Sequence, residues 1–308
     1  NLIVTLVLAN DVKATLSVLY ILLHEQTAGL LYTTAINALR VQYNNITGAG
    51  HGMGREMALR FAALGGEVVC VDINPNGNQE TYNILKSKNA KVHKYECDVT
   101  DRSAVLALGD RVRKEVGEVS ILVNNAGIMP CKSVLDHTEK EVRLMYDVNT
   151  IAHIWMFQAF LPSMMERNHG HIVAMSSMAG LLGLRNLVPY CGSKSAVRGI
   201  MEALHEELRE DKRDFNGIKF TVVYPYMVDT GLCKNPRIKF PSLMKLVPAG
   251  EAADHILDAV RRNYDEITIP SSLYYVAKVC LNPSTSLFTR LSVDFDSFDS
   301  WSGHKSIY

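Results

Sequence analysis

From Ile46 onward, short β-branched runs alternate with helix-patterned stretches of about ten to twenty residues, and this alternation most narrows what the chain can fold into. The runs are apolar at nearly every position rather than at every second one. A strand of that kind has to be covered on both faces. Repeated strand–helix–strand units meet the requirement by carrying helices over both sides of a parallel sheet. Strands are predicted at Glu67–Val71, Lys91–Tyr95, Ser120–Val123, His171–Met175, Lys219–Val223 and Ile267–Ile269. Helices are predicted over Gly54–Leu64, Gln79–Lys88, Asp101–Val116, Glu139–Arg167, Pro189–Glu210 and Glu251–Asn263. Asp101 is a good N-cap, and Val105, Leu108, Val112 and Val116 behind it form one apolar stripe. The fold class is therefore α/β with a doubly wound parallel β-sheet.

One element sits badly in that scheme. The first and most central strand should lie at Val41–Ile46, yet the segment carries Asn44 and Asn45 where burial on both faces is expected. Each unpaired buried amide would be a cost. Either the strand is abnormal or the sequence upstream of Ile46 is irregular.

The turn after it reads Thr47-Gly48-Ala49-Gly50-His51-Gly52-Met53-Gly54. Glycines there let the backbone turn sharply and approach a pyrophosphate, and the following helix N-terminus supplies amide donors and a favourable dipole. A glycine turn can also be only a connector, so its neighbours decide. Asp72 closes the next apolar run, 18 residues beyond Gly54, near the spacing at which an acidic residue accepts hydrogen bonds from the adenosine ribose. A carboxylate at that point repels a 2′-phosphate, which favours NAD(H) over NADP(H). His51 or Arg55, suitably aimed, would counter the preference.

Tyr190 and Lys194 are spaced i,i+4 and share one face of a predicted helix. A free phenol titrates near pH 10 and is a poor base at neutrality, whereas a neighbouring ammonium stabilises the phenolate. Ser177 lies 13 residues upstream at the end of an apolar strand, where a hydroxyl can hold a substrate oxygen against the tyrosine. Asn124-Asn125-Ala126-Gly127 ends another strand, with Asn149 beyond it. Ligands of open α/β sheets bind at such strand ends.

Taken together, Thr47–Gly54, Asp72, Asp98-Val99, Asn124–Gly127, Asn149, Ser177, Tyr190 and Lys194 resemble, in order and spacing, the short-chain dehydrogenase/reductase superfamily. The match runs from about Ile46 to Ile269. Val71–Asn74, Asp147-Val148-Asn149, Ala159–Pro162 and Val228–Gly231 look like the branch of epidermal retinol dehydrogenases and 17β-hydroxysteroid dehydrogenases. The resemblance implies a Rossmann-type sheet and an oxidoreductase moving a hydride between NAD(H) and a lipophilic alcohol or carbonyl. A retinoid, a steroid or a long-chain alcohol would be its substrate. It assigns Tyr190 as general acid/base and Lys194 as the group that lowers its pKa and binds the nicotinamide ribose. Ser177 positions the reacting oxygen, and Asn149 holds a water of the proton relay. Gly48, Gly52 and Gly54 face the pyrophosphate, with His51 and Met53 in the same turn; Asp98 and Val99 contact the adenine, Asn125 the adenosine side, and Val228 and Thr230 the nicotinamide amide. The resemblance also implies a homodimer or homotetramer formed through the helices at Glu139–Arg167 and Pro189–Glu210. Tyr226 departs from the wider superfamily, which usually has glycine after the proline at 225, though bulky residues are familiar there in the branch it resembles.

Residues 1–40 form a hydrophobic N-terminal segment ahead of a catalytic domain at 41–270 and a tail at 271–308. Asn10, Asp11, Lys13, His24 and Glu25 break the apolar N-terminal run, and Leu16–Leu23 is too short to cross a bilayer alone. No small-residue cleavage site follows it, so a secretory signal is not expected. The segment reads as a shallow or hairpin membrane anchor, or as a helix docked on the protein's own surface. Relatives of the resembling branch carry such anchors, which implies an endoplasmic reticulum membrane or lipid droplet location. The one sequon not blocked by proline, Asn45-Ile46-Thr47, runs into the glycine turn, so the catalytic domain is expected to face the cytosol. The tail could form a substrate lid and membrane-facing segment, or an ordinary edge of the core.

Thirty-two basic and 32 acidic residues leave no net charge, hence no general attraction to nucleic acid. The six cysteines, Cys70, Cys97, Cys131, Cys191, Cys233 and Cys280, show no zinc spacing, and no metal is expected. A fold-retaining membrane or lipid-droplet scaffold without turnover and a soluble NADP-dependent carbonyl reductase are the alternative readings. The loops Leu181–Val188 and Leu232–Pro248 are expected to shape the substrate pocket.

Overall fold

A computed structural model describes residues 42–232 and 246–273. The chain divides between residues 41 and 42, and every described residue belongs to the second unit. The expected N-terminal anchor, the tail beyond 273 and most of the second pocket loop lie outside the described residues. Among the described residues no helix is long and apolar enough to cross a membrane.

Seven parallel strands form the sheet: β1 (Tyr43–Thr47), β2 (Glu67–Asp72), β3 (Val92–Glu96), β4 (Ile121–Asn124), β5 (Gly170–Met175), β6 (Ile218–Pro225) and β9 (Glu266–Ile269). Their order is β3-β2-β1-β4-β5-β6-β9. The chain first winds outward from β1 to β3, then returns to β4 on the other side of β1. That reversal opens a crevice at the C-terminal ends of β1 and β4. The helices are α1 (Gly52–Ala63), α2 (Pro75–Ser87), α3 (Arg102–Glu115), α4 (Glu139–Tyr146), α5 (Ala152–Arg167), α6 (Val188–Arg209) and α7 (Ala249–Arg262).

Two apolar layers follow from the period-two geometry of the strands. Val69, Val71, Leu122, Ile172 and Ala174 pack against α3, α5 and α6. Ile46, Val68, Cys70, Val123, Val173 and Val223 face α1 and α7 through Met57, Ala253 and Ile256. Asp101 caps α3 by accepting from Ser103 N and Ala104 N. Helix α2 starts earlier than expected because Asn74 caps it and Pro75 occupies its first turn. The stretch Glu139–Arg167, expected as one helix, holds a π-helical turn at Asp147–Ile151 between α4 and α5. A two-residue pairing of β7 (Val228–Asp229) with β8 (Val247–Pro248), too short and too non-local to read from sequence, ties Val228 to the start of α7.

The irregular first strand is real and central. Asn44 and Asn45 are both fully buried. Asn44 Nδ2 donates to Gln42 O at 3.0 Å and Glu67 O at 3.3 Å, stitching the entrance of β1 to β2. Neither side-chain polar atom of Asn45 has a hydrogen-bond partner among the described residues, and its strand neighbours are Val69 and Leu122. Asn45→Val should therefore stabilise the protein by about 1–2 kcal/mol, because it removes an orphaned amide and adds a β-branched side chain. Thermal unfolding would read this as a midpoint several degrees higher, and a lower midpoint would mean that Asn45 is satisfied after all.

Candidate active site

The four adjacent strand ends Thr47, Asn124, Met175 and Pro225 form one continuous rim. At the first of them the chain turns through Gly48 (φ +66°) and Gly52 (φ +56°), left-handed values that exclude most side chains. The turn is built from its surroundings. Thr47 Oγ accepts from Asn125 N at 3.0 Å and Ala126 N at 3.1 Å, and Asn125 Nδ2 donates to Thr47 O at 2.9 Å. Gly50 N donates to Asp72 Oδ2 at 2.7 Å. Arg55 Nε reaches Gly50 O at 3.2 Å and Thr81 Oγ at 3.0 Å, and its other end pairs with Glu80 at 2.7 Å. Arg55 is thus committed to bracing the turn.

Asp72 is only 2% exposed. Burial pushes its carboxyl above the ordinary range, and the amides of Asn74 and Gly50 pull it back. Gly54 lies beneath the turn rather than on the cleft wall, since a Cβ there would overlap the Gly48 carbonyl oxygen. Its place is to let α1 close against β1.

The other half of the rim is anchored on α6. Lys194 Nζ donates to Met175 O at 2.8 Å, and its backbone carbonyl accepts from Ser176 Oγ at 2.8 Å. Burial pushes this ammonium down to about 8, so it stays mostly charged at neutral pH. It stands 6.0 Å from the centre of the Tyr190 ring, one helical turn away. Ser177 Oγ accepts from Ala179 N at 3.1 Å and donates to Pro225 O at 3.4 Å.

The π-helical turn carries Asn149, which is fully buried. Its Oδ1 accepts from Ile128 N at 2.8 Å; its Nδ2 donates to Ile128 O at 2.9 Å and to Ser193 Oγ at 3.1 Å. Ser193 Oγ in turn donates to Tyr190 O at 2.8 Å. A methyl placed on Gly127 would stand 3.2 Å from Asn149 Oδ1 and 3.5 Å from Lys194 Nζ, so both atoms face one small gap.

Gly48, His51, Gly52, Met53, Asn125, Ser177, Tyr190, Lys194, Val228 and Thr230 line a single cleft of about 1000 Å3, open mouth included. Thr230 closes over the turn: a Cβ on Gly52 would lie 3.1 Å from its Cβ. Gly54, Asp72, Asp98, Val99 and Asn149 do not line it. Asp98 is folded back onto Thr100, accepting from its N at 2.9 Å and its Oγ at 2.7 Å. Val99 is buried in the apolar cluster that also holds Ile128 and Tyr190. The sequence includes Thr47 only as the first residue of the turn motif and gives Ser193 no part, yet their hydroxyls tie the two halves together. Their signal is weak, because a serine or threonine bonding backbone is common anywhere.

A glycine turn with two left-handed residues, opening α1 and running into a cleft that ends at Tyr190, fits a dinucleotide. Among the described residues no group of His, Cys, Asp or Glu could hold a metal ion.

Comparison with known proteins agrees with this arrangement. The family model described as short chain dehydrogenase matches residues 44–239. Epidermal retinol dehydrogenase 2 of Mus musculus is 41% identical over 232 residues, covering 75% of this chain and 74% of the relative. Estradiol 17-beta-dehydrogenase 11 of Homo sapiens is 37% identical over 256 residues, 82% of this chain and 84% of the relative. Among solved structures, a short chain dehydrogenase/reductase from Burkholderia phymatum in complex with NAD superimposes with a TM-score of 0.69 at 25% identity, over 77% of this chain and 92% of that one.

Proposed function

The chain belongs to the short-chain dehydrogenase family, within the branch of its retinol and 17β-hydroxysteroid dehydrogenase relatives, and from that premise we propose that it transfers a hydride between NAD(H) and a lipophilic alcohol or carbonyl. The observation that carries the proposal is the buried Lys194 ammonium, held by Met175 O and one turn from Tyr190 on the wall of the cleft.

In the oxidation direction, Tyr190 takes the proton of the substrate hydroxyl, and in reduction it returns one. The Lys194 charge favours the phenolate that this requires. Ser177 Oγ turns from Pro225 O toward the same substrate oxygen and fixes it against the phenol. Asn149 pins Ile128 and, through Ser193, the backbone of Tyr190, so the acid/base cannot drift. The gap at Gly127 between Asn149 Oδ1 and Lys194 Nζ is where a water passes the proton onward. The nicotinamide, when bound, supplies the hydride acceptor. The Gly48–Gly52 turn would hold its pyrophosphate, and Val228 and Thr230 its amide.

Two features support NAD over NADP. Asp72 sets an acidic side chain against the turn, bonded to Gly50 N, and the Arg55 guanidinium beside it is occupied by Gly50, Thr81 and Glu80. The apolar wall of Met129, Met178, Leu184, Leu187 and Met227 supports a lipophilic substrate such as a retinoid, a steroid or a long-chain alcohol. The broken apolar run at the N-terminus supports attachment to the endoplasmic reticulum membrane or a lipid droplet.

Turnover screened across retinol, steroid alcohols and fatty alcohols, with NAD and NADP in parallel, tests the reading. NAD-linked oxidation of at least one lipophilic alcohol is expected. A preference for NADP would overturn the part given to Asp72, and the absence of turnover with every pair would overturn the enzyme itself.

A further inference from the structure

Lys194 is held at two points by two consecutive residues. Its ammonium donates to Met175 O at 2.8 Å, at the end of β5, and its carbonyl oxygen accepts from the Ser176 hydroxyl at 2.8 Å. The first bond fixes where the charge lies, and the second fixes where its stem begins. That carbonyl lies inside α6. A carbonyl oxygen has two lone pairs, so the hydroxyl can bond it without displacing a hydrogen bond of the helix.

The hydroxyl is itself firmly placed. Ser176 is buried, and its backbone N–H donates to Val223 O at 2.9 Å, which carries the pairing of β5 with β6 one residue beyond Met175. Gly180 stands against the same bond. A Cβ there would lie 2.7 Å from Ser176 Oγ and 2.8 Å from Lys194 O, crowding both ends of it. Gly180 closes the short turn Met178–Gly180 that follows Ser177; its N–H donates to Ser177 O at 2.8 Å, and its carbonyl accepts from Ser195 Oγ at 2.7 Å. Ser177 and Lys194 therefore meet at one seam between the end of β5 and α6. Neither Ser176 nor Gly180 has a part in the proton transfer itself.

Resting on the dehydrogenase reading, we propose that Ser176 is a positioning residue for Lys194: its hydroxyl seats α6 so that the ammonium stands against Tyr190, and Gly180 keeps the space around that bond free. Without the bond, Lys194 is tied only at its ammonium, and α6 can shift, with Tyr190, relative to the tethered charge. The phenolate is then less well stabilised, because the attraction falls with distance. The phenol gives up its proton at higher pH, so the oxidation that depends on it also moves to higher pH. The other titratable groups around the pair hold their charge near neutral pH. Burial and then the Lys194 charge push His153 down to about 3, burial pushes the Tyr226 phenol up to about 12, and burial raises the Cys191 thiol. His51, on the cleft wall at the glycine turn, is common to every variant.

Ser176→Ala removes the bond and Gly180→Ala wedges it apart, while Ser195→Ala frees the other side of the same turn and serves as the control. Each is measured twice. One measurement is the pH profile of kcat/KM for NAD-linked oxidation of the best alcohol. The other is the ultraviolet titration of the Tyr190 phenol, taken as the difference from the same protein carrying Tyr190→Phe, which needs no turnover. Ser176→Ala and Gly180→Ala should each move the rising limb of the profile and the phenol titration about half a pH unit to the alkaline side, a loss of about threefold in kcat/KM at a given pH on that limb. Ser195→Ala should leave both in place. A Ser176→Ala variant whose rate falls equally at every pH, with the phenol titration unmoved, would overturn the positioning, and so would an equal shift in Ser195→Ala. A phenol titration that shifts as expected while no alcohol is oxidised would uphold the positioning and remove the dehydrogenase reading.

Discussion

Tyr190→Phe is expected to lower turnover by about 10²- to 10⁴-fold, the range that a positioned general acid/base contributes. The substitution deletes one oxygen and little else. The ring remains in the apolar cluster with Ile128, Leu187 and Met227, and Lys194 keeps its bond to Met175 O. Ser193 still bonds the backbone carbonyl at 190. Dinucleotide affinity should therefore change by no more than about twofold, because the glycine turn and the Lys194 ammonium are untouched. Steady-state rates with the best alcohol and a fluorescence titration with NADH separate the two effects. Turnover within a few-fold of the wild type would remove Tyr190 from the chemistry, and a parallel loss of NADH binding would make it a cofactor contact instead.

The second large effect is expected at Gly54. A Cβ there overlaps the Gly48 carbonyl oxygen and comes within 2.7 Å of Asn125 Nδ2. Both obstacles are stiff: the first is backbone, and the second is held by Thr47 O. Gly54→Ala has to push α1 away from the end of β1, which costs about 3 kcal/mol at the upper end of overpacking effects. The displaced turn also loses its grip on a pyrophosphate, so NADH affinity should fall by about 100-fold, equivalent to about 2.7 kcal/mol. Gly65→Ala is the informative contrast. Gly65 also has a positive φ, +84°, but a Cβ there meets nothing within 4 Å. That variant should lose a little stability through backbone strain and leave NADH binding intact. Equal loss of binding in both would show that α1 responds to general destabilisation and not to closure of the turn.

Much of this molecule is readable from local chemistry. The inner strands β2, β4 and β5 are apolar at nearly every position because helices cover both faces, whereas the edge strand β3, expected to be as apolar, exposes Lys94 and Glu96. Asp101 caps α3 because its carboxylate reaches the amides of Ser103 and Ala104. The i,i+4 spacing of Tyr190 and Lys194 places them on one face of any helix. The gathering of Ser177, Tyr190, Lys194 and the glycine turn into one cleft is legible because parallel strands all end at the same edge of the sheet.

Other features answer to contacts between distant segments. The helix expected over Glu139–Arg167 carries a π-helical turn at Asn149, where the amide meets the backbone of Ile128 and the hydroxyl of Ser193. Nothing in Asp147-Val148-Asn149-Thr150-Ile151 announces that turn. Gly54 looks like a phosphate contact in the motif and lies behind the turn in space, because its neighbour there is Gly48 O and not solvent.

The sequence by itself determined the layered α/β class, the place of the turn in the chain and the shared helix face of Tyr190 and Lys194. These depend on periodicity and spacing along one segment, which every residue of that segment reports. Only the tertiary structure decided that Arg55 braces the turn, that Asn44 finds partners while Asn45 has none among the described residues, and that Tyr226 buries its hydroxyl. In each case the outcome depends on which backbone carbonyl or side chain a remote segment brings within about 3 Å, and hydrogen-bond energy vanishes over so short a range that no pattern along the chain records it.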